Sequence, residues 1–125
     1  MPFITIEIPS QFSFDLGPFV SKIHPFLSES LNIPLEKLKT KRLLISDAIV
    51  GHGDPNHNYA HIRLELMRGR DKEKLKAACS ELLRAFTEAI KAQNPHSHAR
   101  VTCEFRELDP ELMVAELLPG AAKSQ

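Results

Sequence analysis

Twice along this chain, a stretch whose apolar residues recur at every second position leads into one whose apolar residues recur at helical spacing. Strands repeat every two residues and helices every 3.6, so each switch of period marks a strand handing over to a helix. The first strand is 3–8, where Ile4, Ile6 and Ile8 alternate with Phe3, Thr5 and Glu7. Its β-branched residues suit a pleated, packed surface. Pro9-Ser10-Gln11 ends it, and Asp15 is placed to cap a helix carrying Leu16, Phe19, Val20, Ile23, Phe26, Leu27 and Leu31 on one stripe. Pro25 lies inside that stripe and is expected to kink or split the helix, because proline lacks the N–H and crowds the preceding turn.

A second strand is expected within 38–50, bent near Ser46-Asp47, before the turn-rich run from Gly51 to Asn56. A third spans 58–67. Arg68-Gly69-Arg70 then leads to Asp71, another candidate cap, and to a helix with Leu75, Cys79, Leu82, Leu83, Phe86 and Ile90 on its apolar face. A fourth strand covers 99–108, with Val101, Cys103 and Phe105 on one side, and the C-terminal tail, 119–125, reads as a frayed end. The expected fold is α/β, in β-α-β-β-α-β order over a single domain, 1–125. It consists of a four-stranded mixed sheet with two helices on one face. Phe3 and Thr5 give the first strand apolar character on its second side as well. A sheet with one helix layer and two apolar faces is expected to bury the second face in an oligomer.

Composition narrows the partners. Lys plus Arg is 16 and Asp plus Glu is 16. A balanced chain lacks the basic excess of nucleic-acid binders, so an anion site would have to be local. No apolar run approaches the ~20 residues of a membrane span, and the start lacks the pattern of a signal peptide, so a cytoplasmic location is expected. Cys79 and Cys103 have no metal spacing and are expected as buried free thiols. His57 and His61, four apart on a strand, would lie ~13 Å from each other. That is too far to share an ion with bonds of ~2 Å.

The chemistry that stands out is at the start. Met1 precedes Pro2, and an initiator methionine before a small residue is commonly removed. Pro2 would then carry a terminal secondary amine. Chain-terminal amines titrate near ~8, and nearby cations or burial lower that value toward the range where a general base works best. Pro2 also suits the first position of a strand, where its missing N–H costs nothing. Lys39 and Lys41 share one strand face and can attract an anion or guard a sheet edge. Arg68 and Arg70 precede a helix start, where a guanidinium can grip a carboxylate or simply face water.

Together these residues resemble the tautomerase superfamily, and more specifically the 5-carboxymethyl-2-hydroxymuconate Δ-isomerase family. The resemblance rests on Met1-Pro2, on Gly53-Asp54-Pro55 through His57-Asn58-Tyr59-Ala60-His61, on Gly69-Arg70-Asp71, and on the stretch from Glu104 to Leu112. It implies a homotrimer and proton transfer without metal or cofactor, acting on a small anionic substrate, a 2-hydroxymuconate dienol. It also implies Pro2 as the catalytic base, with Arg70, Lys39 and Lys41 binding substrate carboxylates. Lys39 stands where the family usually has arginine, so the charge is kept but the bidentate fork is lost. Two other readings fit the same residues: a relative acting on another enol acid, and a non-catalytic oligomeric binding protein.

Overall fold

The computed structural model describes residues 1–120. The last five residues of the tail expected to fray lie outside the described residues. Strands β1 (Phe3–Pro9), β2 (Lys39–Ile45), β3 (Tyr59–Met67) and β4 (Arg100–Leu108) alternate with helices α1 (Leu16–Leu31) and α2 (Lys72–Gln93) in the expected order. The sheet runs β2-β1-β3-β4. β1 pairs parallel to β2 and antiparallel to β3, and β3 pairs parallel to β4.

Register assigns the faces. Ile4 and Ile6 stand beside Leu64 and Ile62, so both central strands turn the same positions toward the helices. These residues pack with Ile23 and Leu27 of α1 and Leu82 and Phe86 of α2 in one buried core. Phe14, Phe19 and Phe86 meet there with ring centroids 5.3 to 5.8 Å apart, in edge-on or tilted arrangements that favour aromatic contact.

Several local expectations are corrected. The second strand stops at Ile45, and residues 46–58 form an irregular connection rather than a bent continuation. There β1 ends at Pro9, the last partner of Ile45, and the pairing template runs out. Pro25 does not split α1, which runs through it. Asp15 and Asp71 occupy cap positions, yet neither side chain caps its helix. The Asp15 N–H instead donates to Gln93 Oε1 at the end of α2, which ties the two helices together. The cysteines are half-buried rather than fully buried.

The uncovered face also differs from expectation. Its centre is ionic, carrying Glu7, His61, Arg63, Glu65, Glu104 and Arg106, while its apolar residues, Phe3, Pro9, Leu43, Ile45, Met67 and Leu108 among them, lie toward the margins. The most exposed apolar surface lies along the β2 edge (Leu43, Leu44), at Ile49, and on the segment after β4, where Leu112, Val114, Leu117 and Leu118 are 85%, 95%, 83% and 92% exposed.

Candidate functional site

Pro2, the β2 pair Lys39 and Lys41, and Arg70 come from three places in the sequence, and the topology brings them to one end of the sheet. Phe3 opens β1 beside Lys39, the first residue of β2, and opposite Glu65 near the end of β3. Pro2 is buried just ahead of Phe3, and its carbonyl accepts from the Lys39 N–H at 3.3 Å. Lys39 and Lys41 flank Phe3 and Thr5 on the uncovered face. The Lys39 ammonium lies 5.2 Å from the Phe3 ring centroid, close enough for a cation–π contact, and donates to the Lys37 carbonyl at 3.0 Å.

Arg70 arrives at this end from β3. The chain leaves Met67, turns at Gly69 with φ of +112°, a region that L side chains rarely adopt, and presents Arg70 to the end of α1. Its guanidinium donates to the Leu31 carbonyl, one of the acceptors that a helix end leaves without an intrahelical partner. Asn32, in the left-handed conformation at φ 53°, completes the closure by donating its N–H to the Ser28 carbonyl. Arg68 instead pairs with Asp109 at 3.3 Å.

The three cations border two separate hollows within one chain, and Pro2 lines neither. One, of ≈ 90 Å³, is lined by Phe3, Ile4, Lys39, Thr40 and Lys41. The other, of ≈ 200 Å³, is lined by Leu31, Asn32, Arg70, Asp71 and Lys74, with Ser30. A further cavity of ≈ 180 Å³ lies at the far end of the sheet, under the 46–58 connection, bounded by Pro9, Ile45, Ile49, His57 and Tyr59. It is remote from Pro2 and holds none of the four residues.

Electrostatics at the chain start favour a neutral amine. In this structure Met1 precedes Pro2, and the Met1 amine donates to the Lys37 carbonyl at 3.2 Å. Its pKa falls from 8.0 to about 6, through desolvation first, then through Lys39 as hydrogen-bond neighbour and cation, then through the charge of Lys37. With Met1 in place the Pro2 nitrogen is an amide. Removing Met1 transfers the terminal amine to Pro2, which Lys39 already touches through the backbone.

The uncovered face carries a polar network that the sequence reading did not single out. His61 bridges β3 and β4, with Nδ1 2.7 Å from Thr102 Oγ1 and Nε2 2.8 Å from Glu104 Oε1. Arg106 and His61 hold the Glu104 carboxyl below its usual range. Arg63, between them, buries an Nε that has no hydrogen-bond partner among the described residues, and its nearest carboxylate oxygen, on Glu65, is 3.9 Å away. Alternation along β3 already puts His61, Arg63 and Glu65 on one face. Their partners on β4 depend on a register that only the folded sheet supplies. Among the described residues no group of three His, Cys, Asp or Glu is placed to hold a metal ion.

Comparison with known proteins identifies the family and the fold. The family described as 5-carboxymethyl-2-hydroxymuconate isomerase matches residues 2–116. No curated protein matches the chain. Among solved structures, the fold is similar to a 5-carboxymethyl-2-hydroxymuconate isomerase from Deinococcus radiodurans R1, at 18% identity and TM-score 0.80, covering 92% of this chain and 88% of that one. It is similar to a 5-carboxymethyl-2-hydroxymuconate delta-isomerase at 17% identity and TM-score 0.66, covering 100% and 93%. It also resembles the F6 fused 4-OT wild-type asymmetric trimer, at 13% identity and TM-score 0.67, covering 98% and 97%. At such identities the structural likeness speaks for the fold, and the family match carries the assignment. The chain belongs to the 5-carboxymethyl-2-hydroxymuconate isomerase family and is an isomerase with the tautomerase fold.

Proposed function

We propose that the protein ketonises a 2-hydroxymuconate-type dienol, 5-carboxymethyl-2-hydroxymuconate in the first instance, using the Pro2 amine left by removal of Met1 as general base. The amine takes the proton of the 2-hydroxyl group, the double bonds shift, and a proton is delivered to C5. Carbon–oxygen and carbon–carbon bond orders change without oxidation, so the reaction needs neither a cofactor nor a metal. Lys39, Lys41 and Arg70 hold carboxylates of the anionic substrate and offset charge that builds on its oxygens. The proposed setting is cytoplasmic catabolism of aromatic acids, without nucleic-acid or membrane partners. Among the described residues no helix is long and apolar enough to cross a membrane.

The observation that carries this reading is the placing of Pro2 and the three cations at one sheet end, where burial and Lys39 lower the pKa of the adjacent Met1 amine to about 6. A base with a pKa close to the working pH is both available and effective. The proposed assembly is a homotrimer. Exposed apolar residues on the β2 edge and the 112–118 segment support it, as does the unpartnered Arg63 Nε on the uncovered face, because a buried donor without an acceptor is costly. Assembly would also enclose a site that one chain leaves as two open hollows.

The test is a dienol-absorbance assay on protein whose intact mass shows Pro2 at the terminus. Wild type is expected to outpace buffer, and Pro2→Ala to lose most turnover while keeping its circular dichroism and oligomeric state. A near-native rate in Pro2→Ala would remove the base assignment.

A further inference from the structure

The only two cysteines of the chain, which the proposed reaction leaves without a part, meet across the fold. Cys79 lies on α2 and Cys103 on β4, and their sulfurs are 3.5 Å apart. The Cys79 thiol also lies 3.7 Å from the Cys103 carbonyl, so it points at the strand rather than along its own helix. Register explains the meeting. Val101, Cys103 and Phe105 oppose Ala60, Ile62 and Leu64, whose side chains face the helices, and Cys79 follows Leu75 by one turn on the buried stripe of α2. A disulfide needs sulfurs ~2.05 Å apart. The remaining gap is within the reach of side-chain rotation.

The pair is reachable from solvent. Cys79 lines an open cavity of ≈ 580 Å³ with Lys72, Leu75, Lys76, Phe105 and Glu107. Lys72, Lys76 and Glu107 border that cavity beside Cys79, and Lys76 is paired with Glu73 at 3.8 Å. Cys103 is set behind Cys79, and burial together with the neighbouring thiol pushes its pKa up.

We infer that Cys79 and Cys103 form a dithiol modification site for two-electron oxidants such as hydrogen peroxide, which convert it to an intramolecular disulfide bracing α2 to β4. The Cys79 thiolate attacks peroxide oxygen, the O–O bond breaks, and hydroxide leaves, so that Cys79 becomes a sulfenic acid. The Cys103 sulfur then attacks the Cys79 sulfur, forming S–S and breaking S–O. The departing hydroxide takes the Cys103 proton as water. Two thiols are oxidised and one peroxide is reduced to two waters.

The experiment is peroxide titration of the full chain, read by intact mass, by alkylation of remaining thiols and by thermal melting. The expected result is loss of the mass of two hydrogens and of both alkylatable thiols, no covalent dimer, and a Tm raised by several degrees, all reversed by dithiothreitol. Cys79→Ser and Cys103→Ser should each abolish the hydrogen loss and the Tm rise while melting like the reduced wild type. Addition of oxygen without cross-linking, covalent dimers, or unchanged thiols at peroxide levels that oxidise a free thiol would each overturn the assignment.

Discussion

Arg70 has a structural task that its proposed role in substrate binding does not require. Its guanidinium closes the end of α1 through the Leu31 carbonyl, so the group proposed for a substrate carboxylate is held in place by a helix terminus. Arg70→Ala is expected to lower unfolding stability by about 1 kcal/mol, the scale of one part-buried hydrogen bond, and to raise KM severalfold. Urea unfolding beside steady-state kinetics separates the two effects, and an unchanged KM would remove Arg70 from the anion site. Lys39 acts on the amine instead. The folded chain-terminal pKa lies near 6 rather than 8.0, so protonation of that group increasingly disfavours the fold as pH drops through this window. For catalysis the sign is the useful one, because an amine with a lowered pKa stays unprotonated down to lower pH. Lys39→Ala removes a cation and should shift the acid limb of the kcat/KM profile to higher pH. An unmoved limb would mean that Lys39 does not tune the base. Pro2, Lys39, Lys41 and Arg70 could be proposed from the sequence, since amine, ammonium and guanidinium chemistry is local. The Arg70–Leu31 contact was not legible, because its partners are 39 positions apart.

At the scale of elements, hydrophobic period was a faithful guide and capping chemistry was not. The stripes of α1 and α2 reappear as buried faces, with Ile23, Leu27, Leu82 and Phe86 deep in the core. Asp15 and Asp71 have the right identity for caps, but the Asp15 backbone is taken up by Gln93, a partner 78 residues away. Pro25 was expected to disrupt α1, yet the helix continues and the ring sits on its exposed side. Packing of Ile23 and Leu27 against the sheet overrides the missing hydrogen bond at the Ser21 carbonyl. Pro25→Ala should restore that bond and stabilise the protein by up to about 3 kcal/mol, the helix-interior difference between proline and alanine. A lowered urea midpoint would show instead that the proline is accommodated without cost. The end of β2 at Ile45 was misjudged because residues 46–50 keep strand-like composition after their pairing partner has gone.

At the scale of the molecule, the exposed apolar residues point to assembly at edges rather than through a greasy sheet face. Leu117→Asp combined with Leu118→Asp should shift the protein from the proposed trimer toward monomer by light scattering while leaving its circular dichroism intact. A trimer unaffected by both charges would remove the 112–118 segment from the interface. The sequence by itself determined the element order, the helix-facing residues and the Met1-Pro2 start, because periodicity and terminal chemistry depend on near neighbours. Only the tertiary structure decided that Pro2, Lys39 and Arg70 share one sheet end, that His61, Arg63 and Glu104 form one ionic face, and that Cys79 meets Cys103. Strand order, register and helix docking set those proximities, and they arise from burying the whole core at once rather than from any single stretch of chain.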